Sequence, residues 1–132
     1  MSLSDADRKS VVNYRVERAY ATLKEAEDVA TRGWYNLAAN RLYYALYYAV
    51  SALLINNGLI VKTHSGINAQ FNLHFVKTGI LDLGDGALLS QLYSLRQSSD
   101  YEDFKQVTAE QIQELFPKVS ILVDKLKNLS VV

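Results

Sequence analysis

Cysteine is absent from the 132-residue chain, and proline and tryptophan occur once each. The first absence excludes disulfides and thiolate metal sites. One proline and six glycines leave few chain breakers, which favours long helices over many short strands. Charge of either sign is not in excess, since 14 basic residues balance 14 acidic ones. Bulk electrostatics therefore point to no nucleic acid, and any such contact needs a local patch. The opening "MSLSDADRKS" carries acids and no apolar core, unlike a signal peptide. The longest apolar stretch, residues 42–55, is short for a bilayer span and rich in tyrosine. A cytoplasmic protein of one domain, residues 1–132, with no membrane contact, is the expectation. The two histidines stand ten apart, with no HxxxH pattern and no paired carboxylates, so neither a metal nor a cofactor is expected.

Tyrosine is plentiful, nine against four phenylalanines, and apolar residues recur with helical spacing. Val12, Val16, Ala19, Leu23, Ala26 and Ala30 form one seam of a helix over residues 4–32, with Ser4 as its cap. A second helix spans residues 35–56 and has two unlike faces. Ala38, Leu42, Ala45, Leu46, Ala49, Ala52 and Leu53 share one side; the alanines allow close approach by a neighbour. Asn36, Asn40, Tyr43, Tyr44, Tyr47 and Ser51 share the other. This polar-aromatic stripe suits either a cleft or dimer interface, or a core whose phenols find internal partners. Ser65 can cap a third helix that ends by Gly79, with Ile67, Phe71, His74 and Phe75 on its apolar face. A fourth, capped by Asp85, carries Leu88, Leu92, Leu95 and Ser99. A fifth begins at Thr108, which forms a capping-box pattern with Gln111, and a bend is expected at Pro117. The fold class is all-α, an up-and-down bundle of four long helices plus a shorter one.

The fourth helix ends in "LRQSSDYEDF", residues 95–104. Arg96 and Asp100 are four apart and can pair on a helix, though cation-before-acid is the weaker order. Leu89, Tyr93, Arg96 and Asp100 form a strip beside the buried leucines, so Arg96 faces a groove or a partner. Arginine can clamp phosphate and stabilise developing phosphoryl charge. Asp100 or Glu102 can serve as a base, and Tyr101 as a donor or stacking surface. No histidine is expected nearby to titrate near neutrality. His64, in "KTHSG", precedes a helix start where free amides and Lys62 could hold an anion; simple packing in a turn is the alternative. His74 is expected in the core.

The segments "WYNLAANRLYYALYYAVSALL", "KTHSGINAQF" and "LYSLRQSSDYEDF" together resemble the HEPN domain, the higher eukaryotes and prokaryotes nucleotide-binding domain. The resemblance covers nearly the whole chain and is strongest to small stand-alone bacterial members. It implies a helical bundle that commonly forms a homodimer. It also implies a metal-independent ribonuclease motif, an arginine followed after four to six residues by a histidine, paired across a dimer cleft. Arg96 matches the arginine, while Tyr101, Glu102 and Asp103 fill the histidine window. A second branch of the family resembles toxins paired with a minimal nucleotidyltransferase antitoxin, which can add AMP to a tyrosine; Tyr101 is the matching candidate. Arg96, Asp100 and Tyr101 are thus the candidate catalytic residues. RNA or a nucleotide is the candidate ligand, and a non-catalytic partner-binding dimer is the alternative.

Overall fold

The computed structural model describes residues 3–101 and 106–130, with the backbone alone at Tyr101. Five α-helices are present: α1 (Asp5–Thr31), α2 (Tyr35–Asn56), α3 (His64–Phe71), α4 (Leu83–Tyr101) and α5 (Ala109–Ser130). No strand occurs among the described residues, so the all-α expectation holds.

Helix α2 is the hub. Arg41 is its one charged residue, and it packs against α1, α3, α4 and α5. Its most extensive partner is α1. Ala19 and Ala26 of α1, and Ala38, Ala45, Ala49 and Ala52 of α2, are all buried. Small side chains on both helices let the backbones come close and the surrounding leucines interdigitate. Helix α5 closes the bundle with Ile112, Leu115, Val119, Leu122 and Leu126, all buried, at the expected four-and-three spacing. The Tyr20 hydroxyl donates to Asp124, tying α1 to α5. Helix α5 runs on through Pro117.

Capping explains the helix starts. The Asp7 N–H donates to Ser4 Oγ at 3.1 Å. At α5 the Gln111 N–H donates to Thr108 Oγ1 at 3.2 Å and the Thr108 N–H to Gln111 Oε1 at 2.8 Å, the reciprocal box expected from the sequence. Two starts differ from expectation. Asp82, rather than Asp85, caps α4: the Asp85 N–H donates to Asp82 Oδ1 at 2.9 Å, and Asp85 Oδ2 accepts in return from the Asp82 N–H at 3.2 Å. Helix α3 begins two residues early because Thr63, not Ser65, is its cap, accepting from the Gly66 N–H at 3.0 Å.

Helix α3 does not continue to Gly79. From Asn72 to Val76 it widens into a π-helical turn. The Asn72 side chain donates to the Asn68 carbonyl at 2.8 Å, and the Lys77 N–H reaches the Asn72 carbonyl at 2.7 Å. The wider turn sends Phe75 and Val76 into the core and leaves His74 exposed, bonded to Gln70 at 2.9 Å. The expected core histidine is therefore a surface residue.

Gly86 lets α4 lie close on this turn. A Cβ there would stand 2.3 Å from Asn72 Oδ1 and 3.1 Å from Val76 Cγ2, and Asn72 is held by Asn68. Gly86→Ala is expected to cost about 1–3 kcal/mol in chemical denaturation through overpacking. A gain of about 1 kcal/mol, the ordinary helical preference for alanine, would show that the contact has room.

Candidate functional site

The strip Leu89, Tyr93, Arg96 and Asp100 of α4 lies along the tyrosine stripe of α2. Leu89 is buried. The Tyr93 ring meets the Tyr43 ring at 5.7 Å. One turn further on, the Arg96 guanidinium stands 5.8 Å from the Tyr43 ring centre and 5.3 Å from that of Tyr44. The arginine therefore rests on a shelf of two phenol rings, where a partly desolvated cation–π contact contributes about 1–2 kcal/mol.

Asp100 closes one side of the shelf. Its Oδ2 lies 3.1 Å from Arg96 Nε, with the two side chains 16% and 29% exposed. Yet Arg96 Nε is buried and makes no hydrogen bond. Both hold together if the carboxylate is near in distance but off the N–H direction, an ion pair without an aligned bond. Asn40 Nδ2 donates to the same oxygen at 3.4 Å, while Asn40 Oδ1 accepts from Arg41 Nη2 at 2.7 Å. Arg41 pairs with Glu25 at 3.3 Å and also approaches the Tyr44 ring, at 5.4 Å. Tyr44 is thus a ring that two guanidinium groups share.

A histidine completes the cluster. The Tyr43 hydroxyl lies 2.6 Å from His64 Nδ1. The His64 ring lies 5.0 Å from Tyr47, 5.6 Å from Tyr43, 6.0 Å from Tyr93 and 6.1 Å from Tyr44. Burial pushes the His64 imidazole below its usual range, and the nearby Arg96 cation pushes the same way. Burial, reinforced by Tyr44 and Tyr47, pushes the Tyr43 phenol well up, so it stays protonated. Its hydroxyl can donate to Nδ1 of one neutral tautomer, or accept from Nδ1–H of the other tautomer and of the charged ring, so the contact survives either state. A small cavity of about 120 Å³ opens here, lined by Tyr43, His64, Ser65, Asn68, Leu89 and Tyr93.

The expectation that no histidine lies near Arg96 is thus overturned, because the partners of His64 come from other helices. His64 reaches the site because Thr63 caps α3, and Gly66 permits the tight entry: a Cβ there would meet Val61 Cγ1 at 2.6 Å and Thr63 Oγ1 at 2.7 Å. Threonine, histidine and glycine in "KTHSG" each have a separate structural reason. Of the other candidates, Asn40, Tyr43, Tyr44 and Tyr47 join the cluster. Asn36 has a different partner, accepting from the Val107 N–H at 2.8 Å ahead of α5. Tyr101 ends α4; its side chain, and Glu102 and Asp103, lie outside the described residues. Among the described residues no group of three or more His, Asp or Glu could hold a metal ion. No helix among them is long and apolar enough to cross a membrane.

The HEPN domain pattern matches residues 12–129, and the chain belongs to the HEPN family. It is 32% identical to a "UPF0332 protein" of Thermotoga maritima over 93% of both chains. It is 31% identical to "Putative toxin MJ0142" of Methanocaldococcus jannaschii, over 85% of this chain and 76% of the relative. A second M. jannaschii protein named in the same way is 29% identical over 96% of this chain and 93% of its own length.

Because folding depresses the His64 pKa below its ordinary 6.5, the unfolded chain takes up that proton first. The contribution to stability is full above about pH 6.5 and is lost as pH falls through the folded-state pKa. Thermal melts from about pH 7 to 5 should therefore show a decline that is shallower in His64→Gln. An unchanged slope in that variant would mean that His64 is not held neutral by its surroundings.

Proposed function

We propose that this chain is a toxin-like HEPN protein that binds RNA or a nucleotide at the Arg96 shelf, with a minimal nucleotidyltransferase as its antitoxin partner. The observation that carries the reading is the buried Arg96 Nε, held on Tyr43 and Tyr44 with no hydrogen bond of its own. Two relatives bear the name toxin, which agrees with this role. A phosphate oxygen is the acceptor that the guanidinium fits, with Asp100 turning aside to Asn40 when the anion arrives.

If the site cleaves RNA, His64 takes the place of the histidine missing after Arg96. Neutral His64, as the tautomer whose Nδ1–H donates to the Tyr43 hydroxyl oxygen, accepts the proton of a ribose 2′-hydroxyl through Nε2. The 2′-oxygen then attacks phosphorus, the bond to the 5′-oxygen breaks, and that oxygen takes a proton from water. The products are a 2′,3′-cyclic phosphate and a 5′-hydroxyl end. Arg96 stabilises the charge that builds on the phosphorane-like centre. The depressed pKa keeps the imidazole ready as a base near neutrality. A homodimer would bring two such sites to one cleft, with Tyr101 at the helix end as the tyrosine that the partner modifies.

A non-catalytic version has its own support. Asp100 already neutralises Arg96 in the resting state, as a site that exchanges one anionic partner for another would require. In this version the same shelf binds the nucleotidyltransferase or its nucleotide.

Arg96→Ala is expected to fold, with stability reduced by about 1–2 kcal/mol because the cation–π interaction is gone. On expression it should no longer slow growth. A variant that stays folded and remains as inhibitory as the natural chain would remove Arg96 from the function. Incubation with the nucleotidyltransferase and ATP should add one AMP mass to the chain, and Tyr101→Phe should prevent it. Modification of the Phe variant would assign the AMP to another residue.

A further inference from the structure

Beyond His64 the polar-aromatic stripe of α2 continues to Tyr47 and Ser51, and there it borders a second cavity. This one is larger, about 310 Å³, lined by Arg15, Tyr47, Ser51 and Lys62 together with Leu54, Ile55, Leu59, Ile60, Val61 and Ile67. No carboxylate is in its wall, although acids equal bases in the chain as a whole. Arg15 donates to Ser51 Oγ at 3.0 Å, and Ser51 is 5% exposed. Neither Arg15 nor Lys62 has a carboxylate within ion-pair distance among the described residues, whereas Arg41 and Arg96 beside the first site both do. Two uncompensated cations over an apolar wall make a site for an anion with an apolar body.

Tyr47 joins the two places. It lines this cavity and lies 5.0 Å from the His64 ring. The Tyr47 ring is therefore shared by the Arg96–His64 cluster and the cavity that holds Arg15 and Lys62. Single-stranded nucleic acid is bound by just this combination, cations tracking the backbone and rings beneath the bases.

We infer that the cavity between Arg15, Ser51 and Lys62 is a second subsite for single-stranded RNA. It takes a phosphate further along the strand from the one at Arg96, with the attached base against Ile55, Leu59 and Ile60. The inference rests on the proposed nucleotide binding at Arg96 and goes further, because it makes the ligand an oligonucleotide rather than a mononucleotide. Arg15 and Lys62 hold and align the strand. The chemistry stays at Arg96 and His64.

The test uses the full chain, a labelled hexaadenylate RNA and AMP as probes. Lys62→Glu and the double variant Arg15→Ala/Lys62→Ala are compared with the natural chain and with Arg96→Ala. Lys62 is exposed and Lys62→Glu leaves the core untouched, so it guards against a folding loss in the double variant. Hexaadenylate binding should weaken about tenfold or more in both variants. The slope of log affinity against log salt should become shallower by about 0.7 for each phosphate that is no longer neutralised. AMP binding should be unchanged. Unaltered hexaadenylate affinity in the cavity variants, with weaker binding in Arg96→Ala, overturns the subsite and leaves the Arg96 reading standing. Equal weakening of AMP and hexaadenylate binding overturns it too, since the cavity would then be part of one mononucleotide site. A shift in oligomeric state with RNA affinity unchanged would assign the cavity to a protein interface instead. No hexaadenylate binding by the natural chain overturns the subsite, and no binding of AMP either overturns the Arg96 reading with it.

Discussion

The hydrogen bond between the Tyr43 hydroxyl and His64 is the point at which three helices meet around one polar cluster. Tyr43 belongs to α2 and is almost fully buried. His64 opens α3, and Tyr93 and Arg96 arrive from α4 onto the same ring. A buried phenol needs a partner for its hydroxyl, or it carries an unmet desolvation cost of about 1–3 kcal/mol. Giving that partnership to His64 fixes the imidazole beside a guanidinium that repels its proton. The packing demand of the core and the electrostatics of the surface site are thus met by one side chain.

Helix α2 can do this because its two faces have separate duties. Its alanines, and its leucines apart from the exposed Leu37, are covered by neighbouring helices. The stripe of Asn40, Tyr43, Tyr44 and Tyr47 remains for α3 and α4 to complete. The stripe has few charges of its own, so the cations come from elsewhere: Arg96 from α4, Arg15 from α1 and Lys62 from the segment before α3. Arg41 is the exception, and Glu25 and Asn40 engage it. A chain with no net charge can in this way present a locally positive, aromatic surface.

Much of this is legible in the sequence where the controlling contacts are local. The boundaries of α2, the Thr108–Gln111 box and the strip from Leu89 to Asp100 follow from helical periodicity and capping chemistry. The role of His64 does not. Its partners lie in α2 and α4, and its arrival depends on Thr63 and Gly66 shaping the start of α3. The π-helical turn is hidden for a similar reason. Asn72 takes the Asn68 carbonyl with its side chain, which apolar spacing cannot reveal, so spacing alone puts His74 in the core. Asp82 and Asp85 are hard to tell apart as caps because both are acids at one helix start and they bond to each other.

The central claim is that Arg96 and His64 belong to one anion site built on the Tyr43–Tyr44 shelf. Proton NMR titration of the His64 ring, with and without saturating AMP, addresses it most directly. A bound phosphate beside the imidazole favours its charged form, so the His64 pKa should rise on addition of AMP to the natural chain and stay put in Arg96→Ala. AMP that binds without moving the His64 titration, or that moves it equally when Arg96 is gone, would contradict the account.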